Sequence, residues 1–204
     1  VAGIDYAKTT DFVAAGLLFL VDGVYYWKTH TWVCRHSADL GRIKAPLYEW
    51  AEAGLLTFVD APEVSPEIPS MWLARQTAKD DIVCVGIDTY RYTWLSRALR
   101  DAGFDPDKGG MNNLRLIRKS NQMLVSPIIT SAFVNHSIVW GDNPLMRWYT
   151  NNTCVAMTPD GNVRYEKIEP KSRKTDGFMA FVAAMAVADI LPEDSGEIEV
   201  LAAF

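Results

Sequence analysis

Val1-Ala2-Gly3-Ile4-Asp5-Tyr6-Ala7 opens the chain as a short apolar run that ends on a carboxylate and then turns. Such a run reads as a buried strand, and an acid at its C-terminal end lies where an open sheet presents groups to a ligand. The pattern returns at Ile82-Val83-Cys84-Val85-Gly86-Ile87-Asp88. If the two strands are neighbours, Asp5 and Asp88 stand side by side. A third acid, Asp176, begins an apolar helix predicted over 176–191, and the three acids together read as a metal site.

Outward from the first strand, Asp11 leads into a strand over 12–20. Asp22-Gly23 is a hairpin signal before the aromatic and β-branched run 24–33. Three consecutive antiparallel strands are therefore expected. Helical periodicity follows over 39–53, with Ser37 as a candidate cap and Pro46 as the point where the helix begins or kinks. Further helices are predicted around 70–79, over 92–102 and over 121–140 (Pro127 in its first turns), and one or two helical turns over 145–151. Strands are predicted at 55–59, 114–117, 153–157 and 163–168, the last two flanking a Pro159-Asp160-Gly161-Asn162 hairpin turn. Strands that then alternate with helices define an α/β fold, a mixed sheet with helices on both faces.

The 204 residues fit one domain, with an ordered core over about 1–191 and a tail over 192–204. A composition of 49% hydrophobic and 22% charged residues is ordinary for a soluble protein. The longest apolar runs fall short of the ~20 residues of a membrane span, and no signal peptide is visible, so no membrane partner is expected. Three scattered cysteines point to a reducing compartment. The abrupt start on a core strand points to a piece of a longer protein.

Hard divalent ions such as Mg²⁺ and Mn²⁺ are held by carboxylates, and two of them about 3.5–4 Å apart can activate a water and stabilise the leaving oxygen of a phosphodiester. Each acid also has a plainer reading. Asp176 can be a helix cap, Asp88 can cap the helix that follows it, and Asp11 can be a surface turn acid or reach the same site. Asp5, at the end of a buried strand, needs a partner in any case. The net charge of −5 argues mildly against non-specific nucleic-acid binding, but local clusters decide such partners. Arg91, Arg97, Arg100, Lys108, Arg115, Arg118 and Lys119 follow the second acid and read equally as a solvated face. Arg164, Lys167, Lys171, Arg173 and Lys174 run into the third acid. With Arg91 they are the expected DNA contacts. His30, Cys34 and His36 share a strand face but lack a fourth zinc ligand. No phosphate loop is present, so no ATP site is expected.

Together, Gly3-Ile4-Asp5 with Asp11, Gly86-Ile87-Asp88-Thr89-Tyr90, and Arg173-Lys174-Thr175-Asp176-Gly177-Phe178-Met179-Ala180 resemble the C-terminal nuclease domain of tailed-bacteriophage large terminase subunits. Asn143-Pro144-Leu145 and the Gly161-Asn162 turn match the same pattern, and the resemblance runs from Val1 to about Leu191. It implies an RNase H-like fold and a metal-dependent endonuclease that cuts double-stranded concatemeric viral DNA during genome packaging. Two Mg²⁺ or Mn²⁺ ions would be held by Asp5, Asp88 and Asp176, with Asp11 as an auxiliary acid. It further implies an ATPase domain preceding this chain in the full-length protein, the small terminase subunit and the portal as partners, and the host bacterial cytoplasm as location. Two competing readings are a sugar-kinase-like phosphotransferase, whose glycine-rich loops are lacking, and a non-catalytic DNA-clamping or docking module.

Overall fold

The computed structural model describes residues 1–107, 112–159, 161 and 163–191. The chain runs through β1 (Ala2–Asp5), β2 (Val13–Val21), β3 (Val24–Cys34), a 3₁₀ turn (Leu40–Arg42), α1 (Leu47–Glu52), β4 (Leu56–Val59), α2 (Glu67–Gln76), β5 (Val85–Asp88) and α3 (Thr89–Asp101). It continues through β6 (Leu114–Ile117), α4 (Lys119–Val134), β7 (Ile138–Val139), α5 (Pro144–Asn151), β8 (Thr153–Met157), β9 (Val163–Lys167), α6 (Asp176–Met185) and a second 3₁₀ turn (Ala188–Ile190). The main sheet has the order β4-β3-β2-β1-β5-β6, with β7 added to β3. β1, β2 and β3 are antiparallel, as their turn signals predict, while β5 pairs parallel with both β1 and β6. β8 and β9 form a separate hairpin. This is the mixed, helix-covered α/β sheet of the RNase H-like fold.

Side chains alternate across a strand. Ala2 and Ile4 of β1, with Val85 and Ile87 of β5, enter a core shared with Leu73 of α2 and with Leu95 and Leu99 of α3. Val1, Gly3 and Asp5 face the other side. The parallel register pairs Gly3 with Gly86 and Ile4 with Ile87, so Cys84, Gly86 and Asp88 face that side too. It is covered by α6, whose residues pack in a second core with Val125 and Ile129 of α4, Leu145 and Tyr149 of α5, and Trp50 of α1.

The two glycines set how closely α6 lies on the sheet. A Cβ on Gly3 would stand 2.0 Å from the Ala180 carbonyl oxygen, and one on Gly86 would stand 2.1 Å from that of Ala183. Helix backbone therefore rests directly on strand backbone. Phe181 locks the contact from the far side, edge-on to Trp27 at 5.6 Å and to Trp140 at 4.8 Å.

Several boundaries differ from the periodicity. The helix predicted over 39–53 is split, and α1 forms only after Pro46, whose ring is tolerated at a helix start but not within one. α2 begins at Glu67, and α3 begins at Thr89 rather than Tyr92 because Asp88 caps it directly. Pro127 lies in the middle of α4, not in its first turns. α4 stops at Val134, where His136 turns the chain through a left-handed φ of 54° into β7. α6 ends at Met185 instead of running on to 191. Lys108, Asp160, Asn162 and the tail 192–204 lie outside the described residues, of which no helix is long and apolar enough to cross a membrane.

Gly3→Ala is expected to destabilise the protein at or beyond the upper end of the ~1–3 kcal/mol typical of overpacking, since the blocking atoms are backbone. Urea unfolding measures this, and a midpoint unchanged from wild type would contradict the close contact.

Candidate metal centre

Asp5 and Asp88 end adjacent parallel strands, one residue beyond the Ile4–Ile87 pair, on the side facing α6. Asp176 is the first residue of α6, so the same packing that seats the helix carries this acid to the end of β1, beside Asp5. The approach to α6 is held in place from α5. Buried Asn152 donates from Nδ2 to the Lys174 carbonyl at 3.1 Å and accepts from Arg173 Nη1 at 3.2 Å. Gly177 leaves room for the Tyr149 ring, which a Cβ would meet at 2.4 Å.

Asp5, Asp11 and Asp176 line one cleft of about 260 Å³, together with Arg91, Lys167 and Thr175. Asp5 and Arg91 also line a neighbouring cleft of about 480 Å³ with Asp88, Lys119 and Gln122. Burial, followed by the Asp176 carboxylate, pushes the Asp5 carboxyl up to about 8, while Lys167 and Arg91 pull the other way. Burial likewise raises Asp176 to about 6, chiefly against Lys167. The pair is thus hard to ionise together. Asp11 behaves oppositely. Burial alone would raise it, but hydrogen bonds from Lys167 and Lys174 hold it below the usual carboxylate range.

Asp88 lies beside Asp5, yet its Oδ1 accepts the Tyr90 and Arg91 backbone N–H groups at 2.8 and 3.4 Å, so the capping role is real. Among the described residues, no three His, Cys, Asp or Glu side chains stand arranged to hold a metal ion. Asp88 is turned into its cap, and Asp11 is engaged by lysines. The residues nonetheless suit a hard divalent cation. Asp176 is only 2% exposed, and its Oδ2 is buried without a hydrogen-bond partner among the described residues. A buried, unpaired carboxylate oxygen is costly, and an all-oxygen donor set beside it is what Mg²⁺ or Mn²⁺ takes.

The basic residues divide. Arg91 sits between the two clefts with its guanidinium 5.2 Å from the Trp94 ring. Lys167 bonds Asp11 Oδ1 at 2.6 Å inside the acid cleft. Arg164 is exposed and paired with Glu166, Lys171 is exposed, and Arg173 is exposed while holding Asn152. Lys174, expected among the DNA contacts, is 0% exposed, with its ammonium on Asp11 at 2.9 Å and Asp39 at 2.8 Å. Burial would lower its pKa, but the hydrogen bonds it donates to Asp39 and Asp11 win and raise it. It is an internal strut. Removing it would leave Asp11 to Lys167 alone and Asp39 to its longer 3.6 Å contact with Arg42, which weakens the cluster without leaving either carboxylate unpaired. Nothing local in the sequence marks Asp39 or Asn152 as its neighbours. His30, Cys34 and His36 each have partners of their own, in Thr57, the Ala61 and Pro62 carbonyls, and Asp60.

No protein-family model and no curated protein matches the chain. Among solved structures, those of phage large terminases share its fold. The HK97 bacteriophage large terminase superposes with a TM-score of 0.79 at 19% identity, over 92% of this chain and 39% of its own. The large terminase nuclease from thermophilic phage G20c gives 0.60 at 11% identity, over 94% of this chain and 81% of its own. The same G20c nuclease with bound magnesium gives 0.58 at 12% identity, over 91% and 79%. This chain thus spans well under half the length of the HK97 protein.

The raised carboxyls fix a pH dependence. Asp5 titrates at about 8 when folded, against 3.8 in its ordinary state, so the stability it contributes is full below about 3.8 and is lost as pH rises towards 8. In the presence of a chelator, melting temperature should therefore fall between pH 5 and 8. Asp5→Asn should flatten that fall and melt a few degrees above wild type at pH 8, at about 2–4 °C per kcal/mol. Parallel curves for the two proteins would contradict the assignment.

Proposed function

We propose that the chain is the nuclease domain of a phage large terminase, a divalent-metal-dependent endonuclease that cuts double-stranded concatemeric viral DNA during genome packaging. The observation that supports it most is the buried Asp176 Oδ2, without a hydrogen-bond partner among the described residues, on a side chain that lines one cleft with Asp5, in a fold common to terminase nucleases. Asp5 and Asp176 would hold the first ion. Asp88, through the oxygen its cap leaves over, and Asp11 would complete a two-ion site. When bound, Mg²⁺ or Mn²⁺ would polarise the phosphate and supply a water of lowered pKa.

The chain's own residues supply the rest. α6 places its N-terminal dipole beside the cleft, where a phosphate is favoured. Arg91, between the two clefts, would orient the scissile strand, and Arg164, Lys171 and Arg173 would track the backbone beyond it. The ATPase domain, small terminase subunit, portal and host cytoplasm belong to this same proposal, since this chain matches only part of the HK97 protein.

Nicking of supercoiled plasmid in Mn²⁺ tests the reading. Asp5→Asn and Asp176→Asn should each lower the rate on the order of 100-fold or more, beyond the ~10–100-fold lost when a residue that merely orients a ligand is changed. Asp88→Asn can still cap α3, so a comparable loss there would come from charge and not from folding. Wild-type rates in all three variants would discard the catalytic assignment. Duplex binding without cleavage in any divalent ion would favour the clamping module.

A further inference from the structure

We propose that Tyr90 is a stacking platform for one unpaired base of the strand being cut, so that the site takes DNA opened locally beside the scissile phosphate. The inference rests on the nuclease reading above and concerns the form of DNA that the site accepts.

Tyr90 and Trp94 lie one helical turn apart on α3, with their ring centres 5.9 Å apart and their planes steeply inclined. Both are large aromatic side chains, yet Tyr90 is 72% exposed and Trp94 38%. Trp94 is anchored. Its ring meets Tyr6 edge-on at 6.3 Å and has two cations near it, the Arg91 guanidinium at 5.2 Å and the Lys8 ammonium at 5.9 Å. Tyr90 is the more open of the two rings. Asp88 accepts its backbone N–H at 2.8 Å, so the side chain is carried by the capped first turn of a helix and not by a loop. The same residue lines the cleft of about 480 Å³ with Asp5 and Asp88. Acids and ring share one chamber.

A cleft of that volume is the size that holds one small molecule. A single nucleotide suits it, and a base pair with its stacked neighbours does not. Within a duplex each base is covered above and below and shows only its edges in the grooves. A protein ring therefore reaches a base face only where the stack is broken. Every base has such a face, so stacking on an aromatic side chain is favourable whatever the sequence. Arg91 connects the two parts of a nucleotide. Its guanidinium lies 5.9 Å from the centre of the Tyr90 ring and borders both clefts, so a phosphate held there brings its attached base to Tyr90. Gln122 lines the same cleft and offers amide donors and an acceptor to a base edge. Opening a duplex costs free energy that stacking only partly offsets, so DNA already unpaired at that point is the preferred form.

Fluorescence anisotropy in a chelator, where no cleavage occurs, compares a fully paired duplex with one of equal length carrying a short mismatched bubble. Wild type should bind the bubble roughly fivefold or more tighter. Tyr90→Ala should lose that factor and bind the two DNAs alike, with the slope of log affinity against log salt unchanged, since no phosphate contact is removed. Tyr90→Phe, which keeps the ring, should retain the preference. Arg91→Gln should weaken both DNAs and lower the salt slope by about one. The Tyr90 side chain is exposed, and circular dichroism melts check that its variants fold. If Tyr90→Ala weakens both DNAs equally and lowers the slope, the ring only holds Arg91 and the proposal is overturned. A bubble preference absent from wild type, or intact in Tyr90→Ala, also overturns it. Each of these results leaves the nuclease reading standing, whereas wild type that binds neither DNA would overturn both.

Discussion

Helix backbone lying on strand backbone, at Gly3 of β1 and Gly86 of β5, is the contact on which the architecture turns. Only residues without a Cβ allow it. Each glycine stands two residues before an acid, and two is the period at which a strand returns to the same face. Gly3 and Asp5 therefore look towards α6 together, as do Gly86 and Asp88. The glycines let the helix down onto the sheet, and the acids meet its first turn. Packing and chemistry are one pattern read twice, and Asp176 reaches Asp5 at the end of β1 because α6 has nowhere else to rest.

The price of that geometry is a concentration of negative charge in a place of low solvation. Two carboxyls, Asp5 and Asp176, are driven upward by burial, and between them they resist full ionisation. The protein answers with internal cations. Lys174 binds Asp11 to Asp39 out of reach of solvent, and Lys167 closes the same cluster from the cleft side. One lysine serves the fold and the other faces the site. Such a cluster is the kind of local conflict that functional sites retain at the expense of stability.

The three antiparallel strands, the two acid-bearing strand ends and the buried character of α6 were legible because each is written in a short window: alternation, an Asp-Gly turn, an unbroken apolar run. Helix starts were less legible. α3 begins three residues early because the Asp88 side chain caps it, and Pro46 divides what the apolar spacing joins. Partners distant in sequence were not legible at all. Lys174 looked like one more member of a basic run, and its true neighbours are 163 and 135 residues away. Charge along a chain does not say which cations the fold will draw inward. Asn152, which ties down the approach to α6, carries no signal beyond being an asparagine after a helix.

The most direct measurement is anomalous diffraction from a crystal of the protein soaked in Mn²⁺. The account predicts a peak at coordinating distance, about 2.1 Å, from Asp176 Oδ2 and from a carboxylate oxygen of Asp5. A soaked crystal with manganese bound elsewhere, and none between those two side chains, would contradict it.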